Sequence, residues 1–349
     1  MSEQTTVGDV AGSPTPAGSP GSRGTSPLRR VLQGSFGRNL GLIVALLLLF
    51  VVGAVTAGET FTSVSNILVI LRQASIVGVV SVGMTFVIIA GGIDLSVGAV
   101  MGLASIVATL AAIQDLADSI HWIVMVVVAL AVGLAAGLIN GIVIAYGKVV
   151  AFMATLAMLV AARGLAEILA DRRTLPVDSR EFISAMNADF IGVDILIWIF
   201  ALVAAGGWVL LNRTTFGRRT VAIGGNREAA RLAGINVRRH TVWLYAIAGL
   251  GAGIGAVMIL GRTTAGTSTH GTLLELDVIA AVVVGGTLLV GGRGTITGTV
   301  LGVLIFAVLT NVFVQNNLSS SVQAVAKGVI IVVAVLLQQR FARPAGRAT

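Results

Sequence analysis

Ten apolar runs separated by short polar connections occupy almost the whole chain, at roughly 40–55, 67–90, 95–113, 122–145, 150–170, 191–211, 241–260, 277–290, 295–313 and 322–338. About 20 apolar helical residues rise about 30 Å, the thickness of a bilayer's hydrocarbon core. The pattern therefore predicts an all-α polytopic membrane protein of about ten transmembrane helices. Residues 1–38 differ: Ser, Gly, Pro and Thr with repeated Gly-Ser-Pro steps cannot bury enough surface to fold alone, and they read as a disordered cytoplasmic tail. The first run lies far from the N-terminus and lacks a small-residue cleavage site, so it reads as a span and not as a removed signal peptide. The expected organisation is a tail at 1–38, a transmembrane domain at 39–340 and a second cytoplasmic tail at 341–349.

Two of the runs are interrupted in related ways. VIIAGGIDLSVGAVMG at 87–102 and VVVGGTLLVGGRGTITG at 282–298 each pass from apolar residues through Gly-Gly into a short polar stretch and then a second glycine-rich helix. Broken helices in corresponding places of two halves mark transport pathways, because unwound backbone at membrane depth is tolerated only where it is buried in protein or lines a cavity. Tight turns at the ends of spans would read the same way. Gly91, Gly92, Asp94, Ser96, Asp277, Gly285, Gly286 and Thr287 are the pathway or gate candidates on this reasoning. Asp94 stands just before a helix it could cap, and Asp277 shares that ambiguity; a proton relay or substrate contact is the alternative for both. Arg72 reads as snorkelling, and Arg163 as paired with Glu167 four residues on.

One long polar island breaks the pattern, NRTTFGRRTVAIGGNREAARLAGINVRRH at 212–240. Within it Asn226 can cap a short helix, with Glu228 in the first turn, Arg231 near the end and Gly234 as a left-handed stop. At about 12–14 Å such a helix cannot span a bilayer, so it is expected outside the membrane.

Composition agrees with the membrane reading: 56% hydrophobic and 11% charged residues, where soluble domains carry about 25% charged. The absence of cysteine removes disulfides and thiolate chemistry. The net charge of +8 is accounted for by topology, because an N-terminus inside puts Lys148, the Arg213 to Arg239 cluster, Arg293 and the C-terminal arginines on the cytoplasmic side. Small-xxx-small spacing at Gly98/Gly102, Gly133/Gly137/Gly141, Gly251/Gly255 and Gly298/Gly302 predicts close helix packing. GLGAGIGA at 249–256 belongs with these, since it lies inside a span and no strand precedes it. Neither Lys148 nor Lys327 sits in a phosphate-binding loop, and the three scattered histidines form no metalloprotease motif, which disfavours an enzyme. Sparse ionisable residues in the spans also disfavour ion coupling.

Glu228-Ala229-Ala230 with Gly234 matches the EAA-x-x-x-G loop of ABC importer permeases. AIGGNREAARLAGINV at 222–237, together with VGMTFVIIAGGIDLSVGAVMGL at 82–103 and ELDVIAAVVVGGTLLVGGRGTITGTVLG at 275–302, resembles the ribose or monosaccharide-type permease family in particular. One departure is that the Ile-x-Leu-Pro ending of many such loops is absent, RRHTVWLY standing in its place. The resemblance implies a transmembrane permease domain that binds no cofactor and pairs with a second permease copy or homologue. It also implies a cytosolic ATP-binding cassette ATPase that uses the ATP, and an extracytoplasmic sugar-binding protein. It makes Gly224, Gly225, Asn226, Arg227, Glu228, Ala229, Ala230, Arg231 and Gly234 the ATPase-coupling residues. Ala229, Ala230 and Ala233 would present a small docking surface, and Arg227 and Arg231 would meet acidic rims. An ion-coupled secondary transporter is the main alternative, and a non-transporting membrane scaffold a third.

Overall fold

The computed structural model describes residues 35–342, so most of the expected tails at 1–38 and 341–349 lies outside the described residues, while 35–38 and 341–342 belong to helices. Fourteen helices follow one another along the described chain. They are α1 Ser35–Thr62, α2 Val64–Ile89, α3 Val97–Ala108, α4 Ala111–Ser119, α5 Ile123–Ala145, α6 Ala151–Leu169 and α7 Arg180–Met186. After them come α8 Ile195–Arg213, α9 Thr215–Gly225, α10 Arg227–Leu232, α11 Val237–Thr263, α12 Leu274–Val284, α13 Ile296–Gln315 and α14 Ser320–Ala342. Two small antiparallel ribbons join Leu175–Pro176 to Ala265–Gly266 and Asp189–Phe190 to Val193–Asp194.

Seven of these helices, α1, α2, α5, α6, α8, α11 and α13, are long and apolar enough to cross a membrane, and α3 with α4 makes an eighth candidate bent by 59°. The run at 277–290 is not a full span: α12 has only 11 residues, about 16 Å of helix. Its missing half is irregular chain. The loop 264–273 folds back into the bundle until Gly271 lies against the backbone of Gly98 and the His270 carbonyl lies by Gly102. Arg163 of α6 clamps it there, its Nη1 donating to the Ser268 carbonyl and to the His270 carbonyl at 2.9 Å. Arg163 therefore serves carbonyls and not Glu167, which pairs with Arg172 at 3.4 Å. Arg72 does not snorkel alone either; it pairs with buried Asp194, whose other oxygen caps α8 by accepting from the Leu196 N–H at 2.7 Å.

Gly98 and Gly102 receive the loop 264–273 in place of a helix, while other glycine spacings do the packing expected of them. α5 and α11 approach backbone to backbone, since a Cβ at Gly133, Gly137 or Gly141 would overlap main-chain atoms of Gly249, Tyr245 or Val242. Gly298 and Gly302 of α13 meet Gly285 and Ala281 in the same manner. Close contact over whole turns lets dispersion replace the hydrophobic effect, which membrane helices lack as a driving force. The result is an interior built around α2, α11 and α13, with α1 peripheral: only 6% of its most apolar window is buried, against 78% for α11.

Candidate functional site

Three glycine pairs distant in sequence meet at the arginine-rich end of the bundle, where the α5–α6 connection, the α8–α11 connection and both breaks lie. α2 stops because Gly91 adopts φ +79, which lets its N–H reach the Ile88 carbonyl and the Gly92 N–H reach Val87, both at 2.9 Å. These paired bonds are a Schellman stop. α12 stops identically: Gly286, at φ +88, donates to Val283 at 2.8 Å and Thr287 donates to Val282 at 3.2 Å. The turn glycines in register are thus Gly91 and Gly286. The two stops share one backbone geometry with their Gly-Gly pairs offset by one residue, because Ala90-Gly91-Gly92 corresponds to Gly285-Gly286-Thr287.

Beyond its turn the first break re-enters the bundle. Asp94 is 1% exposed, and its Oδ1 accepts from the Ser96 N–H at 2.8 Å and the Ser96 hydroxyl at 2.6 Å. Asn140 of α5 donates to Ser96 Oγ at 2.9 Å, and Tyr245 of α11 directs its hydroxyl toward the Ile93 carbonyl at 3.4 Å. Tyr245 lies eight residues past Val237, the first residue of α11, about 12 Å from that end, so residues 93–96 are inside the bundle and not at its surface. Asp94 stabilises the start of α3 through a local turn two residues ahead, while Ser96 occupies the N-cap position without a side-chain cap bond. Unwound chain at this depth is stable because these partners satisfy it.

The second break lies over the first. Its Gly292 N–H donates to the Ile89 carbonyl at 2.8 Å. Gly224, in the last turn of α9, presses on that same carbonyl, and a Cβ on it would also stand 2.5 Å from the Gly292 nitrogen. A Cβ on Gly291 would lie 2.9 Å from the Gly91 nitrogen and 3.0 Å from the Gly224 carbonyl oxygen. At Gly225, one residue on, an added Cβ would meet open space, although its backbone lies beside Gly292. Gly224 is thus the point at which the polar island touches both breaks through backbone alone, a contact that only glycine permits.

α10 follows directly. The Asn226 side chain accepts from the Ala229 N–H at 3.0 Å, and Gly234, at φ +83, ends the helix by donating to Arg231 at 3.0 Å while Ile235 donates to Ala230 at 3.1 Å. The sequence signature of a capped six-residue helix is realised in full, but its faces differ from expectation. Ala230 is buried with Ile223 and Val237 against Ala90 and Ile235, so it seats α10 on the first break, leaving Ala229 and Ala233 outward. Arg231 is engaged by Glu228, with bonds of 2.5 to 3.2 Å, and so is not a free contact for an acidic rim. That guanidinium holds the Glu228 carboxyl below its ordinary value, and the carboxylate raises Arg231 in return. Arg227 remains exposed. Between α10, the first break and the α5–α6 connection lies a cavity of about 630 Å³, bordered by Gly91, Gly92, Lys148, Arg227 and Tyr245.

The remaining candidate, Asp277, is elsewhere. It lies in the first turn of α12 and pairs with Lys327 of α14 at 3.0 Å, nine residues before Gly286 and so about 13 Å along the helix axis. Three residues of the junction escaped the sequence reading. Asn140 was detectable as an amide inside an otherwise apolar, glycine-spaced span, and Tyr245 as one of two tyrosines in the chain. Ile89 acts through its carbonyl and leaves no side-chain signal.

The family described as "Branched-chain amino acid transport system / permease component" matches residues 66–336. Similar curated proteins include the ribose import permease of Haemophilus influenzae, 38% identical over 84% of this chain and 90% of that protein. The ribose import permease of Bacillus subtilis is 39% identical over 87% of this chain and 93% of that protein. The L-arabinose transport system permease of Escherichia coli is 37% identical over 87% and 92%. No solved structure matches the chain. With the capped loop helix, the two broken helices and a match over most of its length, the chain belongs to this permease family and is a multi-pass inner-membrane permease of ABC importers.

Proposed function

We propose that this chain is the membrane-spanning subunit of an ATP-driven importer for a ribose-like pentose or other monosaccharide. It has about ten membrane-embedded segments and both termini in the cytoplasm. A second permease copy or homologue completes the pathway, an extracytoplasmic binding protein delivers the sugar, and a separate cytosolic ATPase supplies the energy. The chain itself binds no cofactor and hydrolyses no ATP. The observation that carries the mechanism is the backbone contact of Gly224 with Ile89 and the Gly291-Gly292 turn. ATPase closure would push on α10, and α10 is continuous with α9 through Asn226, so displacement passes through Gly224 to both breaks together. The buried cluster of Ala230, Ile223 and Val237 gives a second route, since Ala90 at the first break packs against it. Backbone contacts transmit such a push better than side chains do, because they have no rotamers to yield.

Reconstitution of the full complex in proteoliposomes with labelled ribose tests this reading. Uptake that requires ATP, the ATPase and the binding protein is the expected result. Uptake driven by an ion gradient without ATP, and abolished by Asp94→Asn, would establish the secondary transporter instead.

A further inference from the structure

A second cavity, of about 380 Å³, lies at the arginine-rich end and belongs to no part of the coupling site. Its lining includes Phe216 and Arg219 of α9 and Asn236, Arg239, His240 and Trp243 from the start of α11. On α11 these last four form an i, i+3, i+4, i+7 stripe. The coupling cavity takes the other side of the same two turns, through Val237, Arg238, Thr241, Leu244 and Tyr245. No residue of α10 borders the second cavity, and neither does any acidic residue. Its floor is fixed: His240 Nε2 bonds to Thr220 Oγ1 at 2.8 Å and the imidazole stacks on Phe216 at 4.3 Å. Arg219 and Arg239 reach its rim exposed, and neither has an ion-pair partner among the described residues.

We propose that this cavity holds the phosphate-bearing headgroup of an anionic phospholipid, and that it does so whichever solute the permease carries. Two unpaired guanidiniums suit phosphate oxygens. Trp243 lines the same cavity 48% exposed, and at the end of α8 Trp208 lies under the Arg213 guanidinium at 5.4 Å. Tryptophan beside arginine at helix ends marks the headgroup level of a bilayer, where basic pockets between spans recruit acidic lipids. Partly exposed indole next to Phe216 and Ile235 gives acyl chains an apolar wall, which a soluble anion would not use.

The full chain in detergent, stripped of lipid, is titrated with phosphatidylglycerol or phosphatidylcholine and bound lipid is read by native mass spectrometry. Saturable binding that prefers phosphatidylglycerol is expected, weakened at least about tenfold in Arg219→Gln/Arg239→Gln. Arg219→Lys/Arg239→Lys should retain most of the preference, and Arg172→Gln/Arg173→Gln at the opposite end should leave it intact. Equal binding of the two lipids, or undiminished phosphatidylglycerol binding by the double Gln variant, would overturn the proposal. Displacement of the lipid by millimolar inorganic phosphate would also overturn it, by identifying a soluble-anion site. If the double variant fails to fold, Arg239→Gln alone carries the same expectation of a reduced preference.

Discussion

At the first break the chain turns at Gly91 and descends into the bundle, where Asp94, Ser96, Asn140 and Tyr245 hold it by side-chain hydrogen bonds. At the second it turns at Gly286 and doubles over the end of α2, where Gly291 and Gly292 hold it by main-chain contact with Ile89, Gly91 and Gly224. Identical helix stops therefore lead into opposite kinds of anchorage. A buried polar network is costly to disturb, since each orphaned group forfeits its desolvation. Main-chain contact between glycines can slide without orphaning a side chain. The difference assigns the first break the part of a fixed seat and the second that of a follower, with α9 lying against both.

The largest effect is expected from Asp94→Leu, which leaves the Ser96 N–H and hydroxyl without their acceptor inside the protein, at about 1–3 kcal/mol for each group. Reduced yield of folded, membrane-inserted protein and a lowered unfolding temperature in detergent would check it. Asp94→Asn, which keeps an oxygen facing Ser96, should restore folding and retain ATP-driven uptake. Next in size is Gly291→Ala at the follower: left-handed backbone costs a non-glycine residue about 1–2 kcal/mol, and the added methyl meets Gly91 and Gly224. Insertion should survive while uptake falls, and a loss of insertion matching that of Asp94→Leu would erase the distinction between seat and follower.

Smaller again is Glu228→Gln, which removes an exposed pair and should leave stability unchanged while weakening ligand-stimulated ATP hydrolysis. The Glu228 carboxyl titrates below its ordinary value of 4.5. A lowered carboxylate contributes above that value and loses its contribution only as pH falls through the lowered one. The difference between wild type and variant should accordingly stay constant from about pH 6 to 8, and a change within that range would point to another titrating group. Least of all is Asp277→Asn, away from both breaks in a partly exposed ion pair, expected to cost about 1 kcal/mol or less with uptake retained.

Periodicity and capping chemistry made much of the architecture legible. Helix positions followed the apolar runs, the capped helix at Asn226 to Gly234 was readable in nine residues, and the glycine spacings pointed to close packing without naming the partners. What escaped was long-range. Arg163 has an acid four residues on and still binds carbonyls more than a hundred residues distant, because folding 264–273 inward leaves those carbonyls in need of a donor. The run at 277–290 is apolar enough for a span, yet composition cannot say that half its path is irregular chain. Ala230 turns inward and Arg231, though exposed, is taken up by Glu228, and a six-residue helix has too little periodicity to reveal either. Gly224 and Gly225 are indistinguishable in sequence, and only the packing separates the glycine whose added Cβ would strike both breaks from its neighbour, where an added Cβ meets open space.

That pair supplies the most direct test. Gly224→Ala and Gly225→Ala, each assembled with the ATPase and binding protein in proteoliposomes, are compared for sugar uptake per ATP hydrolysed. The account expects Gly225→Ala to resemble wild type and Gly224→Ala to lose at least about tenfold in coupled uptake, since overpacking of about 1–3 kcal/mol falls on backbone that cannot repack. Equal behaviour of the two variants would contradict the claim that the polar island drives both breaks through Gly224.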